Sequence, residues 1–209
     1  MGHRSAMHIR APAIVVAIRA HGEHGAVVRA LTAEHGLQAG YVRGGRSTRL
    51  RPILQPGNTV IGEWRARTDD QLGSLTLELT ESRAPLYADP LAAAAIDWAC
   101  ALTASALPEA QPYPRLHAAL EGVLDAIGAA PSARGWAAAL VRYEALVLRE
   151  LGYAEAMPGL PGGDAAWPDL LRALDAIGAG LHRHLFADRR GHAFDARERL
   201  LTRLKRAVA

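Results

Sequence analysis

The chain has 209 residues, 50% hydrophobic and 22% charged, with a formal net charge of +3. That is enough for one large domain or two small ones with a true core, and it excludes a largely disordered protein. Cys100 is the only cysteine, which excludes an internal disulfide framework and any thiolate cluster for zinc or iron–sulfur, and makes a reducing compartment the expectation.

The apolar run at 13–18 is broken by Arg19 with no cleavage-like site after it, and no later stretch reaches 18 uncharged apolar residues. A soluble, cytoplasmic protein is expected. Residues 1–6 carry no pattern, so Met1 and Met7 serve equally as the start. From residue 9 to 82 apolar residues recur at every second position in short runs punctuated by glycine, the spacing of a small β-barrel. The runs predict strands over 13–19, 26–32, 37–42, 59–67 and 74–80, the last alternating Leu75, Leu77 and Leu79 with polar neighbours.

After Pro85 the period changes. Helices are predicted near 89–106, 113–129, 132–151, 165–186 and 195–207, separated by proline and glycine breaks. In the third, Trp136, Leu140, Tyr143, Val147 and Leu151 share one face, the stripe of a bundle helix. Asp195 is expected to cap the last helix, with Glu198 completing a capping box. Strands followed by a run of helices predict an α+β chain: an N-terminal OB-fold barrel over 1–83 and an all-α helical bundle over 84–209.

Lys205 is the sole lysine, so the cationic chemistry is that of arginine, and it is concentrated at one place. Between Tyr41 and Pro52 stand Arg43, Arg46, Arg49 and Arg51, with Gly44, Gly45, Ser47 and Thr48 and no acid. Without apolar periodicity this reads as an exposed basic loop. Guanidinium groups reach phosphates, hydroxyls add short hydrogen bonds, and glycine lets backbone N–H groups approach the same anions. Arg65 and Arg67 extend the patch, and Tyr41 or Trp64 offers a face for base stacking. The competing reading is a solvated, mobile surface loop. A second group, Arg189, Arg190, Arg197, Arg199, Arg203, Lys205 and Arg206, crowds the C-terminal end; it complements a helix dipole or adds to a nucleic-acid surface.

No Walker loop, dinucleotide fingerprint, HExxH or Ser/His/Asp order is present. No catalytic residue, enzyme activity or cofactor is therefore expected. His21 and His24 lie in the first turn. His182 and His184, two apart on a helix, would face apart by about 200°, which disfavours a histidine metal site.

The segments Ala13-Ile14-Val15-Val16, His21-Gly22-Glu23, Leu31-Thr32-Ala33-Glu34-His35-Gly36-Leu37, Val42-Arg43-Gly44-Gly45-Arg46, Leu54-Gln55-Pro56-Gly57-Asn58 and Gln71-Leu72-Gly73, with Tyr143-Glu144 and Leu151-Gly152-Tyr153 further on, resemble the bacterial recombination mediator family RecO over nearly the whole chain. The resemblance implies a DNA-binding OB-fold, a helical domain behind it and no catalytic centre. It also implies a nucleoid-associated role in recombinational repair: annealing complementary strands and, with RecR, helping RecA load on DNA coated by single-strand-binding protein. The family's basic segment falls on Arg43, Arg46, Arg49 and Arg51. Its site for the acidic tail of single-strand-binding protein falls on Arg142, with Arg134 and Arg149 beside it. Many relatives carry a zinc-binding cysteine cluster after the Leu-Gly-aromatic segment; here Tyr153 is followed by AEAMPGLPGGDAAWPDL, without cysteine, so the metal is expected to be lost. Against DNA binding stands a second expectation, a protein-interaction scaffold acting through its helical domain alone.

Overall fold

The computed structural model describes residues 7–67, 71–153, 159–162, 165–187 and 192–208. It divides into two compact units.

The first unit holds five strands: β1 (Met7–His21), β2 (Gly25–Thr32), β3 (Gly36–Val42), β4 (Thr59–Ala66) and β5 (Ser74–Glu81). They close into a barrel in the order β1-β2-β3-β5-β4, the last returning to β1. Closure rests on the length of β1, whose Met7–Ile14 half pairs with β4 and whose remainder pairs with β2. The predicted first strand began at residue 13; His8, Arg10 and Pro12 interrupt its apolar pattern, but they occupy a strand because β4 supplies the pairing. β3 and β5 meet in parallel at Tyr41 and Ser74.

Ala13, Val15, Ala26, Val28, Val60, Leu75 and Leu77 fill the interior around Trp64. Trp64 is fully buried, so it presents no face to a base, contrary to the expectation from sequence. Its ring occupies space left by two missing side chains: a Cβ at Gly62 would strike the ring, and one at Gly40 would lie 3.0 Å from its Nε1. Small residues on β3 and β4 thus admit one large aromatic into a narrow barrel.

Residues 107–114 return to this unit after the first helix. The Ala110 N–H donates to the Leu37 carbonyl at 2.9 Å, and Glu109 pairs with Arg29 at 3.2 Å. Gly36 (φ +70°) lies against the Gln111 backbone, where no Cβ would fit. Sequence periodicity placed this segment between helices, because a single-strand return has no pattern of its own.

The second unit is helical: α1 (Pro90–Ala106), α2 (Pro114–Ala129), α3 (Ala137–Glu150), α4 (Trp167–Leu181), continuing as a π-helical turn (His182–Phe186), and α5 (His192–Val208). Proline opens α1 and α2 and sits at the start of α4, where its missing N–H costs nothing. The Asp89 carboxylate accepts from the Leu91 N–H at 2.8 Å and caps α1. Gly152 (φ +91°) ends α3, and the Tyr153 N–H closes back on the Leu148 carbonyl at 2.8 Å. Of the predicted stripe, Leu140, Tyr143 and Val147 are buried on α3 and Trp136 just before it, while Leu151, just past its end, is only partly buried. α5 begins at His192, three residues before the expected cap, so Asp195 lies inside its first turn.

A buried ion pair holds four helices together. Glu144 on α3 is fully buried and takes two guanidinium bonds from Arg197 on α5, at 3.0 and 2.8 Å. Glu144 also accepts from the Trp98 indole of α1 at 2.6 Å, while Arg197 donates to the Leu174 carbonyl of α4. Arg197 is therefore an internal strut, not one of the surface cations suggested by the arginine run. Arg203 donates to the Pro90 carbonyl at 2.6 Å, and Arg199 and Arg203 both draw on Asp97, whose carboxyl is pushed up by burial.

Candidate nucleic-acid interface and peptide groove

The arginine segment between β3 and β4 is a succession of turns built onto the end of the barrel. Leu50, Ile53 and Leu54 pack against the barrel core, while Arg43, Arg46, Arg49 and Arg51 all face solvent. Fully buried Asn58 pins the base of the loop. Its amide donates to the Pro52 and Ile53 carbonyls at 2.8 and 3.0 Å, and its oxygen accepts from the Arg83 N–H at 2.8 Å. The tip is tied to the β1–β2 turn: the Arg46 N–H donates to the His24 carbonyl at 3.2 Å and its guanidinium to the Glu23 carbonyl at 3.0 Å. Ser47 caps the following turn, its hydroxyl accepting from the Leu50 N–H. The segment is thus an anchored platform, with apolar side chains inward and cations outward. Its anchors are spaced too irregularly to register as periodicity.

Strand register places Tyr41 and Arg65 together. Tyr41 pairs with Ser74, and Ser74 with Arg65, so all three side chains lie in one outward row. Arg65 is exposed but committed to Glu63, its Nε 3.0 Å from the carboxylate; bonds from Arg65 and His8 hold the Glu63 carboxyl below its usual range. Arg67 is exposed just beyond β4. The four loop arginines carry no carboxylate partner among the described residues, so their charge is available to an anion.

On the helical unit, α2 and α3 form a groove of about 670 Å³. Ala118, Ala119, Gly122, Val123 and Ala139 make a floor of small side chains, with Leu146 and Leu160 at its sides. Arg142 and Arg149 flank it, exposed and without a carboxylate partner among the described residues, and Arg115 joins them while bonded to Glu150 at 2.8 Å. Arg115 was not foreseen, because it stands on a different helix from the motif. Arg134 is elsewhere: its guanidinium lies over the Trp167 ring at 5.6 Å. An apolar trough rimmed by arginines fits a short peptide that is both acidic and apolar.

Tyr143 and Glu144 serve the core beneath this groove. His184 stacks on Tyr153 at 4.6 Å and His182 stands edge-on to Phe194; no metal-binding group of three or more His, Cys, Asp or Glu occurs among the described residues. Arg189, Arg190 and part of the segment that lacks the cysteine cluster, 154–158 and 163–164, lie outside the described residues. No helix among them is long and apolar enough to cross a membrane.

Two family models match the chain: Recombination protein O N terminal over residues 7–83 and Recombination protein O C terminal over 87–156. The DNA repair protein RecO of Phenylobacterium zucineum is 45% identical over 148 residues, covering 70% of this chain and 60% of that one. That of Rhodospirillum centenum is 46% identical over 142 residues, with 68% and 55% covered. That of Gluconacetobacter diazotrophicus is 39% identical over 183 residues, with 83% and 72% covered. The chain thus spans little more than half the length of the first two.

Proposed function

The chain belongs to the RecO family of DNA repair proteins, and from that premise we propose that it binds single- and double-stranded DNA through its barrel and anneals complementary strands in recombinational repair. With RecR, it helps RecA load on DNA coated by single-strand-binding protein, in the nucleoid. The observation that carries this reading is the anchored loop, which presents Arg43, Arg46, Arg49 and Arg51 to solvent with no competing carboxylate among the described residues. Four cations on a fixed platform neutralise phosphate without reading sequence, and they lower the repulsion between two strands brought together. The α2–α3 groove takes the acidic tail of single-strand-binding protein, with Arg142 and Arg149 on its carboxylates and the apolar floor under its hydrophobic side chain.

The test is fluorescence anisotropy of a labelled single strand at several salt concentrations. Four phosphates neutralised give a slope of log affinity against log salt of roughly −3. Replacing Arg43, Arg46, Arg49 and Arg51 together with alanine flattens it. A salt-independent affinity, or a slope unchanged in the variant, refutes the reading. The groove supports partner binding whether or not the barrel binds DNA; no DNA binding even at low salt, with the four-arginine variant behaving as wild type, would favour the scaffold reading.

A further inference from the structure

The outward face of the barrel continues the loop across three strands. Arg19 of β1 pairs with Val27 of β2, and Val27 with Tyr41 of β3. Cross-strand partners share a face, and the alternate set, Ile18, Val28, Ala26 and Val42, packs in the core. Arg19 and Tyr41 therefore stand in one outward row. Arg19 is exposed and has no carboxylate partner among the described residues. Tyr41 is half-buried and held in place: its phenol end lies against Gly25, where an added Cβ would collide with it, and the His21 ring stands nearly perpendicular to it at 5.8 Å. His21 ends β1, directly before the turn on which Arg46 is anchored, so loop, turn and row form one continuous surface of cations around a fixed aromatic ring.

We propose that this row makes the barrel select unpaired DNA, with Tyr41 as the platform on which one base stacks and Arg19 as a phosphate contact beyond the loop. This rests on the reading of the barrel as a DNA-binding domain. A guanidinium neutralises the backbone of a duplex as readily as that of a single strand, so the loop arginines do not discriminate. A planar ring does, because a paired base already has both faces covered by its neighbours. Stacking on an aromatic side chain is open only to a base that is free. Gly25 supports this role: it lets the ring lie down on the sheet, which lowers the entropy lost when a base settles on it.

The experiment measures affinity for a labelled single strand and for the same sequence as a duplex, with the full chain and the variants Tyr41→Ala, Tyr41→Phe and Arg19→Ala. Tyr41→Ala is expected to weaken single-strand binding about tenfold with duplex binding unchanged, while Tyr41→Phe keeps the wild-type ratio. Arg19→Ala is expected to reduce the single-strand salt slope by about 0.7. Should Tyr41→Ala lose its barrel circular dichroism, Tyr41→Leu, which refills the space over Gly25 without a ring, replaces it. Equal losses on both substrates, or none on either, overturn the inference. The loop variant separates the two claims: if it abolishes binding while the single-strand preference ignores Tyr41, the DNA reading stands and the row does not. If neither set matters, both fall.

Discussion

Arg197→Met tests the internal strut of the helical unit. The substitution keeps the side-chain length and apolar stem but deletes the guanidinium, leaving the fully buried Glu144 carboxylate with the Trp98 indole as its remaining hydrogen-bond donor among the described residues. It also strips the Leu174 carbonyl of its Arg197 donor. Removing one member of a buried pair costs about 3–5 kcal/mol, because the surviving charge keeps its desolvation penalty without the compensating attraction. For a unit of this size that is a fall in Tm of roughly 10–20 °C. The assay is helical circular dichroism followed through urea and heat at neutral pH, with Glu144→Gln and the double variant completing the cycle. Glu144→Gln in the Arg197→Met background should recover a good part of the loss, since a neutral amide still accepts from Trp98 and carries no buried charge. A loss under about 1 kcal/mol for Arg197→Met, or strict additivity in the cycle, would refute the reasoning and return Arg197 to the surface.

Asn58→Ala removes two donors and one acceptor at a fully buried site; it should cost about 2–4 kcal/mol of barrel stability in urea unfolding and weaken DNA binding by loosening the loop. Gly62→Ala drives a methyl group into the Trp64 ring and should destabilise the barrel by about 1–3 kcal/mol; a neutral result would show that the ring has room to move. Burial holds the His117 imidazole below its ordinary value of 6.5, against a smaller opposing pull from Glu121. The unfolded chain then binds more protons there, so this contribution is complete above about pH 6.5 and is lost as pH falls toward the folded value. The stability difference between wild type and His117→Gln, followed by urea midpoints from pH 7.5 to 5, should shrink on acidification; growth would contradict the sign.

The strands and helices were legible wherever burial followed a regular period. Leu75, Leu77 and Leu79 alternate because one side of β5 faces the core or its margin, and the α3 stripe repeats because one face of that helix is buried. The first half of β1 was hidden because it is held by β4, a partner 45 to 59 residues further along the chain that leaves no local mark. The same holds for the loop: Leu50, Ile53 and Leu54 anchor it, but a chain of turns gives them no spacing to recognise. At the candidate site, residue type pointed to the loop arginines and Tyr41, whereas environment decided the rest. Trp64 and Arg197 have the chemistry of surface contacts and are buried. Arg115 joins the groove from another helix, a juxtaposition that only tertiary packing creates.

The return of residues 107–114 to the barrel has a bearing on how the chain is made. The barrel is not contiguous: it recruits a piece that leaves the ribosome only after α1. A nascent chain that has reached Pro85 holds every strand, yet the Leu37 carbonyl and the notch at Gly36 still await the backbone of Ala110 and Gln111. In chain order, the contacts that complete this unit therefore come after α1. An excised fragment ending at residue 85 would hold all five strands and the arginine loop but lack the contacts of Glu109 to Gln111. A cut after Pro114 keeps the segment that makes them, at the expense of an α1 separated from the helices that cover it.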